Sequence, residues 1–262
     1  RDTPHLLVVG GPDAGKTIML RSIATSLAMN NRQSEIQLAA ICPITGDEER
    51  QRIQASTWYA PNYLPHMLCD IAFRHSDIID LLTFLSKEIS YREKHYFDHP
   101  RLIILIDQAD VLISRGGRHC AEPILRLAQK GEEVGIHLVL SVQSIDSDTL
   151  STQLLKEFPV RLIGRPSIMT PVQNSQWKRE TDVDQLLGEG DFLHNQGNRV
   201  RRLQGAFIAD QDLIPKLIEM NQHQAILLAQ PVMSRLRLKQ PTHDSSIKWP
   251  SDPVDQVPVG AS

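Results

Sequence analysis

Short apolar runs alternate along this chain with longer segments in which apolar residues recur at steps of three and four positions. The apolar runs have the length of buried strands, and they lie at 5–11, 35–42, 101–108, 135–143 and 159–165. The segments with helical periodicity lie at 16–30, 76–97, 119–134 and 147–157. A repeated order of strand, helix and strand requires crossover connections, so the pattern predicts an α/β fold with a mainly parallel sheet and helices on both faces.

The pattern becomes less regular after the fifth strand. The polar segment 166–185 contains Pro166 and Pro171, which predicts an irregular excursion. Order returns near Gln185, and the apolar pattern then predicts a strand at 199–208 and a helix at 213–220.

The end of the chain differs in composition from the rest. After Gln240 the sequence is rich in Pro, Ser and Asp and has no periodicity, which is typical of a linker or a frayed tail. We therefore expect one domain over 1–222 and an extension over 223–262 that is a linker or partly disordered. Because the chain starts at Arg1 and reaches a strand within a few residues, we expect it to be a fragment of a longer protein.

Composition and charge exclude several classes of protein. With 41% hydrophobic residues the chain can bury a sizeable core, and no apolar run is long enough to cross a bilayer. Its 28 basic residues are outnumbered by 31 acidic ones, so any contact with nucleic acid has to be local. The three cysteines form no CxxC pair and the ten histidines no HExxH motif, which argues against a disulfide framework and a zinc site.

A glycine-rich stretch between the first strand and the first helix carries the strongest chemical signal. Its sequence, GGPDAGKT, matches the phosphate-loop pattern GxxxxGK(S/T) in the context that this motif requires. Backbone N–H groups and the positive end of the helix would surround the phosphates, Lys16 would reach the terminal ones, and Thr17 would bind Mg²⁺. The residues predicted to bind the nucleotide are Gly10, Gly11, Pro12, Asp13, Ala14, Gly15, Lys16 and Thr17.

A second chemical signal is the aspartate that directly follows the hydrophobic strand LIILI. Ligands of such sheets lie beyond the carboxyl ends of the strands, so Asp107 is expected beside the phosphate loop, where it would hold Mg²⁺ directly or through water. Many such ATPases have a glutamate at the next position as the base for the attacking water. This chain has Gln108, an amide that can hold a water but cannot take its proton, and Asp110 is the alternative base.

These motifs together resemble the motor domain of the FtsK/SpoIIIE family of DNA translocases, in the wider HerA/FtsK group, over most of residues 4–220. The similar blocks are PHLLVVGGPDAGKT, IILIDQADVLI, ILRLAQKGEEVGIHLVLSVQS and LLGEGDFLHNQGNRVRRLQGAFIADQDL. The resemblance implies a RecA-like P-loop NTPase fold and the cofactors ATP and Mg²⁺. It also implies self-association into a ring, usually a hexamer, that moves double-stranded DNA.

Three departures from the family's pattern bear on function. Gln108 stands in place of the glutamate, and Gly131-Glu132-Glu133 stands where the family has a basic stretch. After Gln143 the chain carries Asp146 and Asp148 in place of positive charge. The opening block is equally similar to the ATPase modules of type VII secretion motors, which handle protein substrates.

The resemblance assigns further roles near the nucleotide. Gln143, at the end of the fourth strand, would be a sensor of the attacking water or the terminal phosphate. Arg126, Arg161 and Arg165 are candidates for an arginine finger that reaches the ATP of the neighbouring subunit, and Arg126 and Arg165 are the better two.

Contacts to DNA are predicted at the stretch 114–119, which we expect to be a loop with two flexible glycines. Arg115 and Arg118 would contact phosphates there without regard to sequence, although a solvated turn is an equal alternative. Arg199 and Arg201 should share one face of a strand, with Arg202 on the other, a pattern more typical of an exposed strand.

Two functions follow from these observations. The first is an ATP-dependent motor subunit for double-stranded DNA. The alternative is an ATP-binding, slowly hydrolysing scaffold or regulatory subunit of a secretion or conjugation machine, with protein as the substrate. We expect the fragment to lie at the cytoplasmic face without direct membrane contact, and the resemblance allows a membrane anchor in a segment absent here.

Overall fold

The predicted helices and strands follow one another in the expected order, and the structure adds a helix, Ala109–Gly116, and a strand, Asp191–Gln196, that the apolar pattern did not predict. The structure, a computed structural model, describes residues 4–44, 48, 55–145, 150–167, 183–197 and 199–221. The strands are β1 (Leu6–Val9), β2 (Ile36–Ile41), β3 (Arg101–Ile106), β4 (Ile136–Val142), β5 (Val160–Gly164), β6 (Asp191–Gln196) and β7 (Arg199–Gln204). The α-helices are α1 (Lys16–Asn30), α2 (His75–His95), α3 (Ala109–Gly116), α4 (Arg118–Lys130), α5 (Thr152–Lys156) and α6 (Asp210–Asn221). Short 3₁₀ turns lie at Ala60–Tyr63, Glu132–Val134 and Val183–Gln185.

The strands form one seven-stranded sheet in the order β2-β3-β4-β1-β5-β6-β7. The pairs from β2 to β5 are parallel, whereas β5–β6 and β6–β7 are antiparallel. Val8 at the centre of β1 lies opposite Ser141 of β4 and Leu162 of β5. This arrangement confirms the predicted α/β class with a mainly parallel sheet, and it places the segment after β1 between two parallel neighbours.

Alternating side chains of the strands build a separate core on each face of the sheet. In β3, Leu102, Ile104 and Ile106 pack with the apolar sides of α2 and α4. The intervening residues Ile103 and Leu105 pack on the opposite face, with α1 and α6. Each such fully buried side chain contributes about 2 kcal/mol to stability. The two cores explain why the predicted strands read as continuous apolar runs.

The segment that connects β3 to α4 is helical, so the prediction of a loop at 114–119 was wrong. Ala109, Leu112 and Ile113 share a buried face and hold the eight-residue helix α3 against the core. Only Gly117, with φ of 52°, separates α3 from α4. A Cβ atom on Gly116 would lie 2.2 Å from Sγ of Cys120, so this glycine permits close packing and is not a flexible joint.

The predicted element boundaries agree with the structure to different degrees. The five predicted strands end within two residues of β1 to β5, and the first helix has the predicted bounds. The third predicted helix ends earlier, at Lys130, because Gly131 packs against main-chain atoms of Leu127 and Ile136. The fourth begins at Thr152, where Oγ of Ser151 accepts the N–H of Leu154.

Some predictions concern parts of the chain outside the described residues. These parts include 168–182 of the expected excursion, the acids Asp146 and Asp148, and the extension 223–262. Within the described ranges, no helix is long and apolar enough to cross a membrane.

Candidate nucleotide site

The glycine-rich loop lies at the carboxyl ends of the parallel strands, between β4 and β5. The N–H of Gly10 donates to the carbonyl oxygen of Val142 at 3.2 Å, and the N–H of Gly11 donates to that of Arg165 at 2.8 Å. The loop therefore continues the sheet for two residues before it turns. It then leads directly into α1, whose first residue is Lys16.

Two glycines of the loop are required by close backbone contacts. A Cβ atom on Gly11 would lie 2.6 Å from the backbone nitrogen of Ser167, and one on Gly15 would lie 2.4 Å from that of Gly190. Gly15 also has φ of 89°, which disfavours a side chain. The loop is thus enclosed on both sides by backbone.

The Lys16 ammonium group lies inside the curve of the loop. Its Nζ donates to the carbonyl oxygens of Gly10 at 2.7 Å and Gly11 at 2.8 Å. Burial lowers the pKa of Lys16, and the nearby carboxylates, Asp107 foremost, oppose this shift. A cation held at the amino end of α1 is suited to bind the phosphates of a nucleotide, as the sequence predicts.

Thr17 and Asp107, predicted from separate motifs, meet at this edge. Oγ1 of Thr17 donates a hydrogen bond of 2.8 Å to Oδ2 of the fully buried Asp107. A hydroxyl and a carboxylate are the hard oxygen ligands that Mg²⁺ accepts alongside nucleotide phosphates, so these two residues fit the predicted ion. In the described part of the chain, no three His, Cys, Asp or Glu side chains gather into a larger metal site.

Ser141 of β4 orients the Asp107 carboxylate from the other side. Its hydroxyl donates to Oδ1 of Asp107 and accepts the N–H of Gln108 at 2.9 Å. The Cys42 thiol lies 3.9 Å from Oδ2, where burial and then the charge of Asp107 raise its pKa. Asp107 therefore has a fixed orientation. Ser141 could not be predicted from the sequence, because one serine in an apolar strand carries no motif.

Gln108, where the resemblance leads us to expect a base, has an unusual backbone conformation. It has φ of 52° and ψ of 51°, directly before the first turn of α3. A non-glycine residue in the left-handed region is uncommon and often marks a functional or strained position.

Asp110 connects α3 to the end of β4. Its Oδ2 accepts the N–H of Gln143 at 2.8 Å, and its Oδ1 accepts the N–H of Val111 at 3.0 Å. The carboxylate thereby fixes the position of Gln143, which is exposed at the same edge as the loop. Both carboxylate oxygens of Asp110 are thus engaged with backbone N–H groups.

The three candidate arginines lie in different surroundings. The Arg165 side chain is exposed beside its own phosphate loop and donates to the Leu187 carbonyl oxygen at 3.0 Å. Arg126 is exposed on α4 and donates to Oγ of Ser90 on α2. Arg161 donates to the carbonyl oxygens of Leu155, in the last turn of α5, and of Phe158, just after this helix, and burial lowers its pKa. These contacts give Arg161 a structural role, whereas Arg126 and Arg165 are at the surface.

The two arginines predicted to contact DNA are also exposed. Arg115 lies in the last turn of α3 and Arg118 is the first residue of α4, with only two glycines between them. Both are therefore carried on helices and not on a loop. Arg199 and Arg201 are exposed on β7, whereas Arg202 forms an ion pair with Asp191 on the opposite face.

The segment Leu187–Asp191, hereafter the clasp, contacts the outer side of the phosphate loop. The N–H of Glu189 donates to the carbonyl oxygen of Asp13 at 2.9 Å, and the N–H of Gly190 donates to that of Ala14 at 3.0 Å. The sequence analysis assigned no role to these residues. The signal that could have indicated them is the GEGD sequence, since paired glycines often mark a close backbone approach.

The sheet order, the loop and the Thr17–Asp107 contact together define a RecA-like P-loop ATPase domain. The curated DNA translocase FtsK of Chlamydia pneumoniae is 25% identical to this chain over 241 residues, which cover 80% of the chain and 28% of that relative. This similarity confirms the resemblance to FtsK motor domains, and the chain spans less than a third of the relative's length. No protein-family model matches the chain.

Solved structures with the same fold come from two other kinds of machine. The pCW3 conjugation coupling protein TcpA, in its monomer form with ATPgS, has a TM-score of 0.64 at 19% identity over 83% of this chain and 65% of its own. The cytoplasmic domain of the Thermomonospora curvata type VII secretion ATPase EccC has a TM-score of 0.65 at 18% identity over 88% of this chain and 30% of its own. At these identities the likeness shows the fold alone.

Proposed function

We propose that this chain is the ATP-hydrolysing module of a ring-forming motor, usually of six subunits, that moves double-stranded DNA. The observation that carries the proposal is the 2.8 Å hydrogen bond between Thr17 and Asp107, with the Lys16 ammonium held in the adjoining loop. These residues bring a phosphate-binding cation and two oxygen ligands for Mg²⁺ to one edge of the sheet. When bound, Mg²⁺ would neutralise negative charge on the phosphates.

The choice of DNA as the moved polymer rests on the FtsK relative and on surface arginines. Arg115 and Arg118 are exposed, and contacts from them to phosphates would be independent of base sequence. In a ring the same pair is repeated in every subunit, so weak contacts would add up. Arg126 and Arg165 are the residues that we propose for the neighbouring ATP. We place the module at the cytoplasmic face of a longer, membrane-anchored protein.

ATP turnover with and without duplex DNA tests this function. We expect turnover that duplex DNA raises severalfold and that Lys16→Ala abolishes. Lys130→Ala, which removes an exposed lysine from the end of α4, is the matched control and should leave turnover unchanged. Turnover that persists in Lys16→Ala would contradict the assigned site.

A second candidate function is an ATP-binding subunit that hydrolyses slowly and acts as a scaffold or regulator in a secretion or conjugation machine. The observation in its favour is Gln108 in place of a carboxylate, together with an Asp110 carboxylate that already accepts two backbone N–H groups. An absent general base typically costs about 10²- to 10⁴-fold in rate. Saturable ATP binding with negligible turnover, both with and without DNA, would favour this candidate.

A further inference from the structure

The clasp has a backbone conformation that ordinary residues rarely adopt. Gly188, Glu189 and Gly190 have φ of 88°, 52° and 93°, so three consecutive residues lie at positive φ. Glu189 adopts this conformation despite its side chain, which costs free energy. The surrounding contacts must therefore impose the shape of the clasp.

The hydrogen bonds from the clasp orient peptide groups of the phosphate loop. The carbonyl oxygens of Asp13 and Ala14 point outward, where they accept the N–H groups of Glu189 and Gly190. In a trans peptide the C=O and the following N–H point in opposite directions. The N–H groups of Ala14 and Gly15 are thereby turned toward the inner side of the loop, where a P-loop binds phosphates. The N–H of Ala14 makes a long hydrogen bond of 3.4 Å to the carbonyl oxygen of Gly11 there, which a bound phosphate would replace.

An ion pair on the far side of the clasp holds it in place. Arg202 of β7 makes two hydrogen bonds to the Asp191 carboxylate, at 2.9 and 2.7 Å. The Asp191 Oδ2 atom also accepts the N–H of Leu187 at 2.9 Å, and this hydrogen bond joins the two end residues of the clasp. Arg202 holds the pKa of Asp191 below its ordinary value, so the pair is ionised at neutral pH. The Gln204 amide adds a hydrogen bond of 2.9 Å to the Glu189 carbonyl oxygen.

We propose that Asp191 and Arg202 are positioning residues for nucleotide binding. The pair fixes the clasp, and the clasp presents the N–H groups of Ala14 and Gly15 to the phosphates. The proposal rests on the function proposed above, because it assumes that a nucleotide binds at the Lys16 loop. Neither residue touches the nucleotide itself, so removing the pair should weaken affinity without removing the binding residues.

The test is a calorimetric titration of Mg²⁺ and ATPγS into Arg202→Ala and Asp191→Asn. We expect the dissociation constant to rise at least about tenfold in each, since small misplacements of positioned groups have effects of this order or larger. Arg202→Lys keeps the charge but not the two-point contact, and should give an intermediate value. Arg201→Ala, which removes the exposed neighbour on the other face, is the matched control and should change nothing.

A purely structural role for the pair gives a different result. The titrations are made at a temperature at which circular dichroism shows every variant to be folded, so a loss of stability alone would not alter the dissociation constant. Wild-type affinity in the folded variants would overturn the proposal. Failure of the wild-type chain to bind ATPγS would instead overturn the proposed function.

If Arg202→Ala and Asp191→Asn do not fold, a milder variant tests the proposal. Gln204→Ala removes one exposed contact to the Glu189 carbonyl oxygen and leaves the ion pair intact. We expect a rise of about threefold in the dissociation constant, as for the loss of one ordinary hydrogen bond. An unchanged dissociation constant both in this variant and in Arg202→Lys would also overturn the proposal.

Discussion

The half of the site that would hold the phosphates is built differently from the half that would activate water. In the first half, charged and hydroxyl groups contact one another directly, as Lys16 does with the loop carbonyls and Thr17 with Asp107. In the second half, Asp110 is engaged with backbone N–H groups, and Gln108, where the FtsK resemblance leads us to expect a base, is an amide. Binding and hydrolysis can therefore be affected separately in this chain.

A complete phosphate loop therefore does not by itself specify a fast ATPase. Nucleotide affinity would depend on the loop, on Lys16 and on Thr17 and Asp107 as the proposed Mg²⁺ ligands, and the structure brings these residues to one edge of the sheet. The rate depends in addition on a group that takes a proton from water, and an amide cannot do so. The predictions that follow change one half at a time.

The largest effect is expected from Lys16→Ala. This variant removes the cation that would contact the terminal phosphates, and charge-assisted hydrogen bonds of this kind are about twice as strong as neutral ones. We expect nucleotide affinity to fall at least about 100-fold in a titration with a fluorescent ATP analogue. Unchanged affinity would contradict the proposed role of Lys16 and the phosphate loop in nucleotide binding.

The next largest effect is expected in the half of the site that would activate water, and it is a gain in turnover. Gln108→Glu restores a carboxylate at the position of the base, and we expect steady-state turnover to rise at least about tenfold. Gln108→Asn is the matched control, because it keeps the amide and Asn tolerates the left-handed conformation. A rise in both variants, or in neither, would show that water is activated elsewhere.

The variant Asp110→Asn distinguishes a structural role of Asp110 from a role as the general base. We expect turnover to fall only about threefold, because the variant weakens one connection between α3 and the end of β4. A fall of about 100-fold or more, together with loss of the acidic limb of the pH–rate profile, would instead identify Asp110 as the general base.

The DNA contacts should give a smaller effect, visible mainly in the salt dependence. Each phosphate neutralised by a basic side chain contributes about −0.9 to the slope of log affinity against log salt. Replacing Arg115 and Arg118 with Ala should make this slope shallower in the assembled ring without changing sequence preference. An identical slope in the double variant would remove these residues from the DNA interface.

The last effect, which is absent at neutral pH, is a pH dependence of nucleotide affinity. Because burial lowers the pKa of Lys16, its ammonium group loses its proton at a pH below the ordinary lysine value of about 10.4. Affinity should be constant at neutral pH and should fall as the pH rises through this lowered pKa. Titrations at increasing pH check the prediction, and constant affinity up to the ordinary lysine range would contradict it.

The residues of the first half of the site could be predicted from the sequence, because they lie in a local motif and at a strand end. The phosphate loop is a local motif, and the carboxyl ends of parallel strands meet at one edge, so Lys16, Thr17 and Asp107 could be placed together. The sheet follows from apolar runs that are long and continuous. The FtsK resemblance added the order of the later blocks.

Long-range contacts that no sequence motif marks could not be predicted. The clasp touches the loop through backbone atoms, which leave no pattern in the side chains, and Ser141 reads as one more position in a buried strand. The helix α3 was missed because its eight residues are too few to show a clear period. The hydrogen bonds of Asp110 likewise depend on the tertiary arrangement of α3 and β4.

The most direct test of the account is a titration of the wild-type chain with ATPγS, once with Mg²⁺ and once with EDTA. The account predicts saturable binding of one nucleotide per chain, at least about tenfold weaker when Mg²⁺ is removed, because Thr17 and Asp107 would then lack the ion that they hold with the phosphates. Equal affinity in both titrations would contradict the assigned ligands, and no saturable binding in either would contradict the nucleotide site itself.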